Sequence, residues 1–232
     1  WSNYQSFIIE NPQKVFGNSV WIGAVPNTRY PNDTLSNRSI FLRKDFSLHN
    51  KVKQAYGYVC GLGFYELLFN ARKVGNSEFA PLWSDYDKSV FYNTYDVTDY
   101  LRQGNNKIQV LLGNGLYNER GGRYHKLITS FGPPTLRLRL EIIYENEKGE
   151  EYKTSEIITD NSWKYALSPI TFNSIYGGED YDARLEDPAR WIDAVLQYPP
   201  KGILRPQYAE PVKIMETYGV KSITRLSKQN IV

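Results

Sequence analysis

The sequence contains very little cysteine and histidine. Cys60 is the single cysteine among 232 residues, so the chain cannot form an internal disulfide. It lies in an apolar stretch, where a small core residue is the expected role. The two histidines, His49 and His125, are far apart in sequence and lack any Cys/His ligand spacing, which argues against a zinc site.

Long apolar runs and long basic runs are also missing. No stretch approaches the ~20 apolar residues of a membrane-spanning helix, so the sequence predicts no membrane span. The 28 basic and 25 acidic residues give a net charge of +3, and no Lys/Arg run exceeds a pair. The chain therefore lacks the basic footprint that nucleic-acid binding requires.

Aromatic residues, in contrast, are abundant at 15%, with 19 tyrosines and five tryptophans. Tyrosine and tryptophan combine a flat apolar face with a polar edge, which suits both β-sandwich cores and surfaces that stack on sugar rings. An aromatic-rich β-sheet without any ligand explains the same composition. Composition alone leaves both interpretations open.

Alternating apolar residues indicate β-strands. In the run TLRLRLEIIYE, the side chains of Leu136, Leu138, Leu140 and Ile142 recur with period two, as in a strand with one buried face. A turn at residues 146–149 then predicts a hairpin with a returning strand. Helical signals are scarce, and DVTDYLRQG predicts only about two turns. The sequence therefore predicts an all-β fold, an antiparallel β-sandwich of the jelly-roll type.

Three regions differ in character. Residues 1–50 are expected to be N-terminal strands of a flanking β region, and residues 51–190 the jelly-roll sandwich. Residues 191–232 are expected to be a Pro-rich connector followed by the first strands of a truncated further β domain. A chain that begins at Trp1 and stops within a strand-like pattern suggests a piece of a longer polypeptide.

Catalytic motifs are not evident. Neither histidine accompanies a nucleophilic serine, and GLG at residues 61–63 lies between strand-like runs, where a bend is expected rather than a phosphate loop. The segment GGEDYDARLED, residues 177–187, concentrates five acids, which must bind a cation, bind hydroxyl groups or pair with bases. A glycosidase also needs two carboxyl groups facing each other across a sugar, and the sequence supplies no opposing wall.

Several segments in order resemble one enzyme family. They are FLRKDFSL, GLGFYELLFNARKVG, APLWSDYDKSVFYNTYDVTDYLRQGNNKIQVLLGNGLY, TDNSWK, IYGGEDYDARLE and RWIDAV. Together they resemble the N-terminal β-sandwich region of bacterial α-L-rhamnosidases, the family 78 glycoside hydrolases. The resemblance extends from about residue 40 to residue 211.

The resemblance implies a non-catalytic accessory region. The parent enzyme would remove terminal α-L-rhamnose from glycans or glycosides, using glutamates of an (α/α)-barrel elsewhere in the same polypeptide. The implied partners are rhamnose-containing glycans and that barrel, and a periplasmic or secreted bacterial parent fits the resemblance. The alternatives are a free-standing carbohydrate-binding or protein-interaction sandwich and a small self-sufficient hydrolase.

The resemblance also suggests a sugar site after the KIQVLLG strand. Some relatives bind rhamnose and calcium there, but here Leu116 replaces a family tryptophan, which removes a stacking ring. Asn114 would be a calcium ligand, although a neutral amide holds calcium less firmly than a carboxylate. A simple turn at residues 114–115 explains the same letters. The sugar-binding candidates are Asn114, Tyr117, Asn118, Arg120 and Tyr124.

The acidic segment is interpreted as an ion-paired loop at a domain interface or near a sugar-binding mouth. In an extended chain Asp182 and Arg184 point to the same side, which favours an ion pair over a cation cage. Replacing Glu179 or Asp182 by alanine is expected to weaken activity or interdomain stability in the complete enzyme. The candidate residues are Glu179, Asp180, Tyr181, Asp182 and Arg184.

Overall fold

A computed structural model describes residues 14–24, 38–120, 123 and 126–223. Two short 3₁₀ helices, Thr98–Tyr100 and Ala183–Leu185, accompany the strands in this part of the chain. The strands, in chain order, are β1 (Ile22–Gly23), β2 (Ile40–Leu48), β3 (Val52–Leu62), β4 (Tyr65–Phe69), β5 (Arg72–Lys73), β6 (Ser89–Asp96), β7 (Gly104–Leu112), β8 (Asn118–Glu119), β9 (Thr129–Ser130), β10 (Thr135–Glu145), β11 (Glu151–Ile158), β12 (Lys164–Leu167), β13 (Ile170–Ser174), β14 (Gly178–Tyr181), β15 (Ile192–Asp193), β16 (Val195–Leu196) and β17 (Ile203–Pro206).

Two large sheets form the sandwich. The seven-stranded sheet has the order β16-β1-β10-β3-β6-β17, and β11 also pairs with β10. The six-stranded sheet has the order β15-β12-β2-β7-β4-β5. The pairs within these sheets are antiparallel except β6 with β17, which is parallel. The predicted all-β, antiparallel sandwich is confirmed.

Strand β10 shows why the sandwich forms. Its even-numbered residues from Leu136 to Ile142 are all fully buried, whereas its odd-numbered residues from Arg137 to Ile143 keep part of their surface exposed. Strand β7 follows the same rule with Ile108, Val110 and Leu112. Because alternate side chains point to opposite faces of a strand, these residues meet between the two sheets. They belong to one continuous apolar core.

A second apolar cluster covers the other face of the seven-stranded sheet. Phe16 and Trp21 lie before β1 in the chain. They pack with Tyr58 and Cys60 from β3 and with Tyr92 from β6. Burial raises the pKa of the Cys60 thiol, which donates a hydrogen bond to the carbonyl of Phe91 at 3.1 Å. The cysteine therefore has the core role that its apolar context predicted.

The sequence GLG ends strand β3, and its last residue, Gly63, forms the predicted bend before β4. Gly63 has a φ of +119°, a value that side-chain-bearing residues rarely adopt. A Cβ atom on Gly63 would lie 2.1 Å from the carbonyl oxygen of Gly113. The bend therefore requires glycine for its conformation and for the close approach of the β7–β8 loop, residues 113–117.

One local prediction was wrong. The segment around Thr98 forms a single 3₁₀ turn of three residues instead of two helical turns, because the backbone already returns to an extended conformation at Leu101. The strands expected after the Pro-rich connector stay a prediction, because residues 213–223 are exposed and outside any strand, and residues 224–232 lie outside the described residues. A strand needs a partner to complete its hydrogen bonds.

Strands on both sides of the predicted domain boundaries join the same sheets. Strand β2, before residue 50, pairs with β7 over nine residue pairs. After residue 190, β15 extends the six-stranded sheet and β16 extends the seven-stranded sheet. The division at residues 50 and 190 remains a prediction, and the sandwich draws strands from all three predicted regions.

Candidate functional site

Asn114 lies at the centre of a buried polar network in the β7–β8 loop. Its backbone N–H donates to the side-chain oxygen of Asn173 at 2.8 Å, and its amide nitrogen donates to the Asn173 carbonyl at 3.2 Å. Its side-chain oxygen accepts from the amide nitrogen of Asn118 at 2.8 Å. With 1% exposure, Asn114 directs its polar atoms to other parts of the chain.

Asn118 continues this network. It is also 1% exposed, and its side-chain oxygen accepts from Ser130 Oγ at 2.6 Å and from Arg120 Nε at 3.1 Å. Buried amides need such partners because an unsatisfied polar group is costly in the protein interior. Arg120 is partly exposed, whereas Asn114 and Asn118 are buried.

Tyr117 belongs to the second apolar cluster. Its ring packs edge-on against Tyr86 at 5.1 Å and stacks on Phe131 at 5.8 Å between centroids. Its hydroxyl donates to the Phe131 carbonyl at 3.4 Å, and burial raises its pKa to about 12. The side chain is thus largely engaged within the protein.

Glu119 connects this loop to the hairpin formed by β13 and β14. The carboxylate accepts from Ser174 Oγ at 3.0 Å and from the backbone N–H of Ile175 at 2.7 Å, and it is 1% exposed. Sequence reasoning missed Glu119 and Asn173, because nothing in a lone Glu or Asn indicates a partner more than 50 residues away. The available signal for Glu119 was its position in the chain close to the candidates Asn114 and Asn118.

The acidic segment forms β14 of the same hairpin and the 3₁₀ turn that follows it. Asp180 forms an ion pair with Arg123, whose Nη1 donates to Asp180 Oδ1 at 2.9 Å, and the hydrogen bond from Arg123 lowers the pKa of this carboxyl. The Arg123 guanidinium also lies over the Phe172 ring, 4.5 Å from its centroid. The structure therefore brings together two segments that the sequence suggested as separate sites.

The predicted ion pair between Asp182 and Arg184 is confirmed. Nε and Nη2 of Arg184 donate to the two carboxylate oxygens at 2.8 and 2.7 Å, and the backbone N–H of Arg184 donates to Oδ1 at 3.1 Å. The side-chain hydrogen bond from Arg184, followed by that from its backbone, lowers the pKa of Asp182 to about 2. Tyr181, 56% exposed, donates its hydroxyl to Glu186 at 2.7 Å, and Glu179 is exposed on β14.

The residues present do not fit a calcium site at Asn114. Its side-chain oxygen already accepts from Asn118, and the Arg120 guanidinium, a positive charge, binds the neighbouring amide. Within the described ranges, no group of three or more His, Cys, Asp or Glu residues could hold a metal ion. Tyr124, the remaining sugar-binding candidate, lies outside the described residues.

The fold and the loop-to-hairpin contacts define the class of this protein as an antiparallel β-sandwich domain with a polar loop assembly beside its sheets. In the parts of the chain that the structure describes, no helix has the length and apolar character to cross a membrane. The chain belongs to the family of alpha-L-rhamnosidase N-terminal domains, whose family model matches residues 50–216.

Sequence relatives agree with this assignment. An alpha-L-rhamnosidase of Formosa agariphila is 39% identical over 150 residues, covering 63% of this chain and 15% of the relative. Another, from Streptomyces avermitilis, is 39% identical over 153 residues, covering 62% of this chain and 14% of the relative. The chain thus spans about one seventh of the length of these curated relatives.

Solved structures share the fold. The alpha-L-rhamnosidase of Dictyoglumus thermophilum superposes with a TM-score of 0.76 at 29% identity, covering 95% of this chain and 25% of that one. The enzyme of Streptomyces avermitilis, solved in complex with L-rhamnose, gives a TM-score of 0.69 at 30% identity. That match covers 81% of this chain and 19% of the solved one.

Proposed function

We propose that this chain is a non-catalytic accessory β-sandwich region of an α-L-rhamnosidase. The observation that carries the proposal is the match to the N-terminal domain family over residues 50–216, in a chain that covers 15% of a relative named for that activity. The parent enzyme would release terminal α-L-rhamnose from glycans or glycosides. Its catalytic (α/α)-barrel would be a partner in the same polypeptide.

The state of the acidic residues supports a non-catalytic role. A glycosidase needs a general acid that is still protonated near neutral pH, which requires a raised carboxyl pKa. Asp180 and Asp182 instead have lowered pKa values because each is hydrogen-bonded to an arginine. Neither of these two carboxyl groups is therefore available as a protonated acid near neutral pH.

The exposed side of the loop and hairpin is the proposed contact surface for the barrel or for rhamnose-containing glycans. Tyr181 and Tyr176 present rings that are 56% and 40% exposed, and Lys126 lies over the Tyr176 ring at 5.3 Å. Arg120 lies at the margin of this surface through its bond to Asn118. Aromatic rings beside charged donors are suited to sugar rings and their hydroxyl groups.

Activity measurements test the proposal. The 232-residue chain should not hydrolyse p-nitrophenyl α-L-rhamnoside, and turnover by purified chain would contradict a non-catalytic role. In the complete enzyme, Glu179→Ala and Asp182→Ala should lower kcat/KM or the melting temperature, whereas Glu147→Ala, in the exposed β10–β11 turn, should change neither. Unchanged kinetics and melting in both the Glu179 and the Asp182 variant would exclude the interface role.

A further inference from the structure

Phe79 presents an exposed aromatic ring beside strand β4. The segment that carries it is fixed to this strand, because the N–H of Tyr65 donates to the Ala80 carbonyl at 2.7 Å. The Phe79 ring packs on that of Phe64, with 5.4 Å between centroids and 49° between planes, yet the residue remains 59% exposed. Phe64 thus contacts the Phe79 ring and leaves it accessible.

The backbone of Phe79 is strained. Its φ of +53° lies in the left-handed region, which bulky residues rarely occupy. Hydrogen bonds on both sides hold the segment, since the N–H of Glu78 donates to the Val212 carbonyl at 2.8 Å and Ala80 accepts from Tyr65. Strained residues cluster at ligand-binding sites, where the surrounding structure fixes their conformation.

Three charged side chains form a hydrogen-bonded group close in the chain to this ring pair, because Glu66 follows Phe64 by two residues and Lys73 binds both Glu66 and Glu78. Lys73 donates to Oε1 of Glu66 at 2.9 Å and to Oε1 of Glu78 at 2.7 Å, and Glu78 directly precedes Phe79 in the chain. Burial acts to lower the pKa of Lys73, but the hydrogen bonds with Glu78 and Glu66 outweigh it and the pKa is raised. The side chains stay partly exposed, at 31% for Lys73, 42% for Glu66 and 28% for Glu78.

We propose that this group is a carbohydrate-binding surface for a pyranose ring. Its members are Phe64, Glu66, Lys73, Glu78 and Phe79, and we call it the Phe79 surface. The apolar C–H face of the sugar would stack on Phe79, and adjacent hydroxyl groups would donate to the glutamates and accept from Lys73. The surface uses none of the loop or hairpin residues described above, so the inference goes beyond the proposed function.

The charged trio favours a sugar over a protein partner. A protein that covered Phe79 closely would remove three neighbouring charged groups from water, and the centres of protein interfaces are depleted of charge for that reason. A pyranose covers a smaller area and offers hydroxyl groups as replacements for bound water. The glutamates and Lys73 could therefore keep their hydrogen bonds while the sugar lies on the ring.

Saturation-transfer NMR with the 232-residue chain tests this inference. The probes are methyl α-L-rhamnopyranoside and methyl β-D-galactopyranoside at millimolar concentration. We expect transfer to at least one probe, a loss of affinity of about fivefold or more in Phe79→Ala, and a smaller loss in Glu78→Gln. Tyr208→Ala is the matched control, because Tyr208 is 83% exposed and contacts Phe91 instead.

A second variant separates binding from folding. Glycine adopts positive φ without strain, so Phe79→Gly should melt at the same or a higher temperature and still lose the sugar signal. Absence of transfer to both probes would overturn the inference. So would a signal that is lost in Arg120→Ala but kept in Phe79→Ala, which would assign recognition to the loop. The sedimentation coefficients of the unsubstituted chain and of Phe79→Ala provide a third outcome. If they differ while neither protein transfers saturation to a sugar, Phe79 contacts a second protein molecule instead, which would also overturn the inference.

Discussion

At the scale of single residues, the polar side chains after β7 act mainly on the protein itself. Asn114, Asn118 and Glu119 are each 1% exposed and bind other parts of the chain. An amide or carboxylate that binds a sugar hydroxyl uses the same atoms as one that binds a serine or a backbone N–H. Residue type therefore indicates side chains that form hydrogen bonds but cannot distinguish an internal partner from a ligand, and the sugar-binding role of these residues stays a prediction.

The ion pair of Asp182 gives a pH prediction. Because the folded-state pKa is lowered from 3.8 to about 2, the stabilising contact is fully present above 3.8 and is lost as the pH falls through about 2. In Arg184→Ala the Asp182 pKa should return towards 3.8 in a carboxyl-detected NMR titration. Asp180, whose lowered pKa depends on Arg123, is the internal control, and an Asp182 pKa unchanged by the substitution would refute the assigned cause.

At the scale of elements, period-two patterns were reliable and short helical signals were not. Strand β10 extends over Thr135–Glu145, and the predicted inward residues are the buried ones. Alternation is a property of every strand with one buried face, so it can be read locally. The Thr98 segment instead ended after one 3₁₀ turn, because isolated helical turns are marginal without tertiary packing.

Two adjacent isoleucines of β10 test which face of this strand is buried in the core. Ile142 is fully buried in the main core, whereas Ile143 is partly exposed on the opposite face. Ile142→Ala should lower the free energy of unfolding by about 2–5 kcal/mol because it leaves a core cavity. Ile143→Ala should cost about 1 kcal/mol or less. Urea denaturation measures both, and equal losses would contradict the assigned faces.

At the scale of the whole molecule, the segment after residue 190 connects the two sheets. Strand β15 lies at the edge of one sheet and β16 at the edge of the other. Between them, Ala194 is 7% exposed, belongs to the main core and donates its N–H to the Trp163 carbonyl at 2.8 Å. The proline content of the segment after residue 190 suggested a connector. No local sequence pattern indicates which sheet edges are free to pair with that segment.

Proline substitutions test this connection. Ala194→Pro removes the hydrogen bond to Trp163 and leaves a buried carbonyl without its donor, which should cost about 1–3 kcal/mol. The melting temperature should therefore fall by roughly 2–12 °C. Met215→Pro, at a position that is 85% exposed and outside any strand, should leave it unchanged. Equal effects of the two variants would show that the Ala194 contact does not stabilise the sandwich.

Local sequence was enough to predict the all-β class, the inward faces of the long strands and the ion pair between Asp182 and Arg184. The class and the inward faces follow from the period-two pattern, and the ion pair follows from a two-residue spacing, with Asp182 extended and Arg184 in the 3₁₀ turn Ala183–Leu185. Tertiary structure alone decided that Asn114 binds Asn173, that Glu119 binds Ser174 and that Phe79 contacts Phe64. Those contacts require two sheets to pack first, because their partners are brought together only by strand pairing and burial of the core.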